Sequence, residues 1–272
     1  MERGTNQNNL AVSVNNINVS YYDVGEGSIP IIFLHGYPFD KSMWQKQLEF
    51  LKKGYRCIAY DIRGFGKSKD EESPLSIDLF ADDLIMFMDK LFIDKAIICG
   101  LSMGGYIALN ALSRFPDRFE ALILCDTQCI SDSKEAKEKR HKTIEEIEAE
   151  GVNNFNERFI KSVFHKNSFT NNIDVVEKLK SVVAANSQHI IIQGLLALAG
   201  RSETCSILEF IIIPSLIMCG REDEVTPLAQ SEFMHTSIKG SILRIIDDAG
   251  HVSNLEQNDT FNNHLLVFLE GC

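Results

Sequence analysis

Apolar residues along the chain keep two rhythms that alternate. In one, apolar positions alternate with polar ones or run unbroken for a few residues; in the other they recur at three- and four-residue spacing. Leu10–Val14 and Ile17–Val24 alternate on either side of Asn15-Asn16, a pair that tolerates positive φ, and this predicts an N-terminal β-hairpin. Pro30–Leu34, Tyr55–Tyr60, Ala96–Cys99, Phe119–Cys125, Ile211–Cys219 and Ser241–Ile246 read as further strands, and unbroken runs such as Ile31-Ile32-Phe33-Leu34 suit parallel strands buried on both faces. Between them lie helical stretches. Asp40 can cap a helix carrying Met43, Trp44 and Leu48, with Leu51 a turn further on. A helix from about Ile77 to Lys90 places Leu84, Phe87, Met88 and Leu91 on one face, and a closing helix runs from about Asp259 to Leu269. Strands alternating with helices predict an α/β fold: a mostly parallel, twisted sheet with right-handed crossovers and helices on both faces.

The rhythm changes between Gln128 and Thr204. Ser131–Glu150 is dense in Lys and Glu, a solvated charge run, and the segments up to Arg201 read helical with no strand between them. Phe155, Phe159, Val163 and Phe164 sit at helix-like spacing, and Ile190–Leu198 is strongly apolar. The expected organisation is therefore a core domain of residues 1–127 and 205–272, with residues 128–204 inserted as a helical cap.

Composition narrows the partners. The chain has 272 residues and a formal charge of -11, which speaks against nucleic acid or an anionic membrane as partner. Met1–Asn9 is polar and lacks the apolar region of a signal peptide, and no segment holds the ~18 unbroken apolar residues of a membrane span, so a cytoplasmic protein is expected. Of the 7 cysteines, Cys57, Cys99, Cys125 and Cys219 fall in apolar runs and read as buried, reduced core residues rather than a disulfide framework. No His/Cys cluster has zinc spacing, and neither metal nor cofactor is expected.

The chemistry centres on Ala96–Gly105, AIICGLSMGG. Its G-x-S-x-G core follows an apolar strand and opens a small-residue helix, the setting of a nucleophile elbow at Ser102. Such a serine sits at strained backbone angles, and glycines two residues to either side let strand and helix approach closely. A serine hydroxyl needs a base, and the base needs a carboxylate to hold its tautomer. Among 7 histidines, His35 and His251 lie in loops directly after strands, and His251, following Gly250 and the last strand, is the better base. Asp223, a few residues after Ile213–Cys219, is the candidate acid, and Asp126, at the end of an earlier strand, is its rival.

HGYP at His35–Pro38, DIRGFGKS at Asp61–Ser68, GLSMGG at Gly100–Gly105, GREDEVTP at Gly220–Pro227 and AGHVSNLEQ at Ala249–Gln257 together resemble the α/β-hydrolase superfamily, from about Ile17 to the end except the cap. Within it the chain is similar to lidded serine carboxylesterases near 3-oxoadipate enol-lactonase and the pimeloyl-ester esterases, and LILCDTQ at Leu122–Gln128 adds to that likeness. The resemblance implies that the backbone amides of Tyr37 and Met103 form an oxyanion hole and that Asp61, Arg63 and Ser68 belong to a structural loop. Serine at the elbow, where dehalogenases and epoxide hydrolases of this fold carry aspartate, points to esters. The expected partner is a small-molecule ester or lactone bound to a monomer or homodimer. A lactonase, or a ligand receptor on a hydrolase scaffold, are the alternatives. Arg201 and Lys161 are candidate holders of a second substrate carboxylate, and Phe39 and Trp44 either wall the acyl side or pack in the core.

Overall fold

The computed structural model describes residues 9–272, so the polar start of the chain up to Asn8 lies outside the described residues. β1 (Leu10–Val14) and β2 (Ile17–Val24) form the expected antiparallel hairpin, turned by Asn15 and Asn16 at φ 43° and 68°. β3 (Ile31–Leu34) leads through a 3-10 turn, Lys41–Trp44, into α1 (Gln45–Leu51), and the Asp40 carboxylate caps that turn by accepting from the Ser42 amide. β4 (Cys57–Tyr60), α2 (Ile77–Lys90), β5 (Ala96–Leu101), α3 (Met103–Arg114) and β6 (Phe119–Cys125) follow. The stretch after β6 carries α4 (Lys134–Glu150), α5 (Asn153–Val163), α6 (Ser168–Asn171), α7 (Ile173–Ala184) and α8 (Gln188–Gly200). The alternation then resumes with β7 (Ser215–Gly220), α9 (Leu228–Ser237), β8 (Ile242–Ile246), α10 (Ser253–Glu256) and α11 (Asn258–Leu269).

The strands make one sheet in the order β1-β2-β4-β3-β5-β6-β7-β8, antiparallel at β1/β2 and β2/β4 and parallel elsewhere. Side chains alternate across it. Ile31 and Phe33 of β3 join a core with Trp44, Leu48, Phe261 and Leu265, whereas Ile32 and Leu34 join one with Phe80, Phe87 and Ile107. Both faces are covered, which is why the central strands are apolar at every position rather than at every second one. Parallel register pairs Leu34 with Gly100, Leu101 with Cys125 and Cys125 with Met218, so the loops leaving β3, β5, β6 and β7 emerge side by side at one edge.

Two glycines let the elbow pack. A Cβ on Gly100 would collide with the backbone carbonyl of Gly104, and one on Gly104 would collide with the carbonyl of Leu34. Rigid backbone lies on the receiving side in both cases. Gly104→Ala is therefore expected to cost about 1–3 kcal/mol, as overpacking does, which for a chain of this size lowers the melting temperature by roughly 2–4 °C per kcal/mol. A melting curve superimposable on wild type would show that β3 yields freely.

Two expectations change and one open alternative is resolved. The strand expected over Ile211–Cys219 begins only at Ser215, because Pro214 has no N–H for the ladder and Ile212 points into solvent, 93% exposed. Trp44 is core: it is fully buried against Phe33 and Phe261, with ring centroids 5.1 and 6.2 Å away. Cys57, Cys99, Cys125 and Cys219 are free and buried, but Cys129 and Cys205 form a disulfide, correcting the expectation of a chain without one. That bond joins the two ends of the inserted helices. There the Thr204 amide also donates to the Cys129 carbonyl (2.8 Å), and Arg201 pairs with Asp132 (2.6 Å). Loop closure brought these cysteines together across a separation of 76 residues, which linear spacing does not reveal.

Candidate active site

Ser102 stands between β5 and α3 at φ 54° and ψ -115°, the strained turn expected of an elbow. Its neighbours hold it there. The Ser102 amide donates to the Cys125 carbonyl (2.9 Å), and Thr127 Oγ1 donates to the Ser102 carbonyl (2.8 Å). The first turn of α3 directs its N-terminal amides and the positive end of its dipole toward the same spot.

Two of the residues expected near Ser102 continue from it in a line, His251 in contact with Ser102 and Asp223 in contact with His251. His251 Nε2 lies 2.8 Å from Ser102 Oγ, and His251 Nδ1 lies 2.8 Å from Asp223 Oδ2. With Nδ1–H donating to the carboxylate, Nε2 is left as the acceptor for the serine proton. Asp223 is itself fixed: its Oδ1 accepts from the Val225 and Thr226 amides (2.8 and 3.0 Å), and its Oδ2 accepts from Thr226 Oγ1 (2.7 Å). Burial pushes the Asp223 carboxyl up, but the charge and hydrogen bond of His251 outweigh it and hold the group below its ordinary value. Burial likewise pulls the imidazole down, and the facing Asp223 reverses that, leaving His251 above its ordinary 6.5. All three groups are shielded from bulk water, with exposures of 9% for Ser102, 5% for Asp223 and 2% for His251.

The amides of Tyr37 and Met103 have no acceptor among the described residues. Buried backbone N–H groups are rarely left unpaired, so the free amide on the loop after β3 and the one at the start of α3 can each donate to a ligand oxygen. The Tyr37 side chain has a separate task. Its hydroxyl donates to the Ile191 carbonyl of α8 (2.8 Å), and its ring lies edge-on to Phe65 and Phe159 (5.9 and 6.1 Å). Phe39 packs on Phe159 as well (5.8 Å), so α5 and α8 roof this corner.

The other candidates are placed elsewhere. His35 is committed to the backbone: its Nδ1 donates to the Gly36 carbonyl and its Nε2 accepts from the Ile62 amide, both at 2.9 Å. Asp61 pairs with Lys41 (2.6 Å), Arg63 with Asp70 and Asp83, and Ser68 Oγ accepts from the Ser20 amide, all buried structural ties. Asp126 does not touch His251; its carboxylate accepts from the Gly220 amide (2.8 Å) and from Ser253 Oγ (2.6 Å). Lys161 is exposed. Arg201 is buried, stacked over Tyr106 with its guanidinium 4.5 Å from the ring centroid, and paired with Asp132.

Sequence reasoning missed Thr226, which braces the acid, and Glu256. The Glu256 carboxylate accepts from the Gly250 amide (2.6 Å), the His165 amide (2.8 Å) and Ser168 Oγ (2.5 Å), tying the His251 loop to the end of α5. No local pattern marks Glu256, two of whose partners lie some ninety positions away. A surface cavity of about 850 Å³ between α1, α7 and α11 is lined by none of these residues. Among the described residues no group of three or more His, Cys, Asp or Glu side chains could hold a metal ion, and no single helix is long and apolar enough to cross a membrane.

A profile described as the alpha/beta hydrolase fold matches residues 29–257. The chain is 30% identical to the 3-oxoadipate enol-lactonase 2 of Acinetobacter baylyi over 93% of each chain. Among solved structures it superimposes on a thermophilic esterase from Thermogutta terrifontis, with malate bound, with a TM-score of 0.91 at 30% identity over 97% of this chain and 98% of that one. It superimposes also on the enol-lactonase of Burkholderia xenovorans LB400, with a TM-score of 0.88 at 27% identity over 96% and 100% of the two chains. A sheet of this order, an elbow of this geometry and a match over most of the length agree: the chain belongs to the α/β-hydrolase family.

Proposed function

We propose that the protein is a serine hydrolase that cleaves carboxylic esters of small or medium acyl chain through an acyl-enzyme. The observation that carries this reading is the unbroken hydrogen-bonded line from Asp223 through His251 to Ser102. Ser102 Oγ attacks the ester carbonyl while His251 Nε2 takes its proton, and Asp223 stabilises the imidazolium that forms. The Tyr37 and Met103 amides receive the tetrahedral oxyanion. His251 returns the proton to the leaving alcohol, then activates water to release the acid. Residues 128–204 serve as the cap, and Phe155, Phe159 and Ile191 bring its apolar side onto Tyr37, which suits an apolar acyl group of modest size.

A lactone is the same acyl–oxygen bond closed in a ring, so the same steps open it. Similarity to two enol-lactonases favours that second reading. A panel of p-nitrophenyl acetate and butyrate beside unsubstituted and enol lactones separates the two by the ratio of kcat/KM. A fluorophosphonate should label Ser102 and stop turnover of either class. Sustained multiple turnover also distinguishes an enzyme from a ligand receptor on this scaffold. Absence of labelling and of turnover across the panel would overturn the proposal.

The imidazole sets the pH dependence. Only its neutral form accepts the serine proton, and Asp223 holds the cation above 6.5. Hence kcat/KM is expected to fall with acidification along a limb whose midpoint lies above 6.5. A limb at or below that value, read from initial rates across pH, would mean the carboxylate does not act on His251 as described.

A further inference from the structure

The end of β6 touches all three loops that carry the proposed relay. The Cys125 carbonyl and the Thr127 hydroxyl clasp the backbone of Ser102. Between them Asp126, fully buried at φ 44°, turns its carboxylate the other way. One oxygen accepts from the amide of Gly220, three residues before Asp223; the other accepts from the hydroxyl of Ser253, two residues after His251.

We propose that Asp126 is a positioning residue for hydrolysis: it sets the distance between the loop of the acid, the loop of the base and the elbow of the nucleophile, an inference that rests on the function proposed above. The acid and base loops are already joined on their outer side. There the Glu222 amide donates to the Ala249 carbonyl (3.0 Å), and the Gly220 and Gly250 backbones are in close contact. That seam holds the two loops to each other, and Asp126 anchors both to the strand that clasps Ser102. Displacement of reacting groups by about 1 Å costs roughly 10²-fold in rate, so such an anchor is expected to show in kcat.

The charge state fits a tether rather than a second relay acid. Burial first, and then the neighbouring Asp223 carboxylate, push Asp126 up to about 8. The other groups facing it are His251, the Ser253 hydroxyl, the Gly220 amide and the thiols of Cys125 and Cys219, both held neutral by burial. Near neutral pH Asp126 is therefore largely protonated, with Oδ1 still accepting from Gly220 and Oδ2–H donating to Ser253 Oγ, and it does not compete with Asp223 for the imidazole.

Asp126→Ala, Asp126→Asn and Ser253→Ala, assayed with p-nitrophenyl butyrate and labelled with fluorophosphonate, test this. Asp126→Ala should lower kcat by about 10–100-fold with KM within about threefold, since Asp126 does not touch substrate. Asp126→Asn, whose amide can still accept from Gly220 and donate to Ser253, should restore kcat to within about threefold of wild type at pH 7. Should Asp126→Ala fail to fold, Ser253→Ala carries the test alone, with kcat expected to fall about 3–10-fold at constant KM. Wild-type kcat in Asp126→Ala or, failing that, in Ser253→Ala would overturn the proposal, as would equal losses in the Asn and Ala variants or a loss confined to KM. In those cases wild-type turnover and Ser102 labelling leave the hydrolase reading standing; a wild type that neither labels nor turns over removes that reading first.

Discussion

Ser102→Ala is expected to melt like wild type while its ester turnover falls by about 10³–10⁶-fold, the scale of losing one member of a relay. The fold should tolerate the change because alanine pays no more than serine for positive φ; both carry a Cβ at the strained 54°. The elbow's ties to Cys125 and Thr127 run through the backbone of Ser102, so they survive. What disappears is the single oxygen 2.8 Å from His251 Nε2. The residual rate should approach what the two free amides and the bound geometry contribute without a nucleophile. Initial rates with p-nitrophenyl butyrate, with loss of fluorophosphonate labelling as a control, measure it. A variant that kept most of its activity would place the nucleophile elsewhere.

Asp223→Asn is expected to cost about 10⁴-fold in kcat, although it changes little in shape. The amide oxygen can take the place of Oδ1 and still accept from Val225 and Thr226. Its NH₂ group then faces His251 Nδ1, where the carboxylate oxygen now accepts at 2.8 Å. A donor there forces Nδ1 to be the acceptor and moves the ring proton to Nε2, the nitrogen that must receive the proton of Ser102. The acid limb of the pH profile should shift downward as well, because the charge that raises the imidazole is gone. Parallel kcat and pH measurements distinguish this from simple unfolding. An Asn variant with near wild-type kcat would mean that His251 keeps its tautomer without help.

Much of this was legible in the linear order of residues. Alternation about Asn15-Asn16 marked the hairpin, and helical spacing marked α2. The G-x-S-x-G setting predicted both the strained serine and the crowding at Gly100 and Gly104. These are local effects: periodicity, turn chemistry and close approach over a few residues leave their mark on consecutive positions. The ambiguity over Trp44 could not be lifted that way, since an aromatic next to Met43 and four residues before Leu48 reads the same over a sheet or over a substrate. Its contacts with Phe33 and Phe261 decided it.

The amino-acid sequence by itself determined the α/β alternation, the helical insertion after Gln128 and the identity of Ser102, Asp223 and His251 as candidates, because each carries a signal within its own segment. Only the tertiary structure put Asp223 rather than Asp126 in contact with His251, bonded Cys129 to Cys205, and brought Thr226, Glu256 and Ser253 around these residues. Choices of that kind depend on distances between loops remote along the chain. Those distances are set by the parallel register of β5, β6 and β7, which no stretch of residues encodes alone.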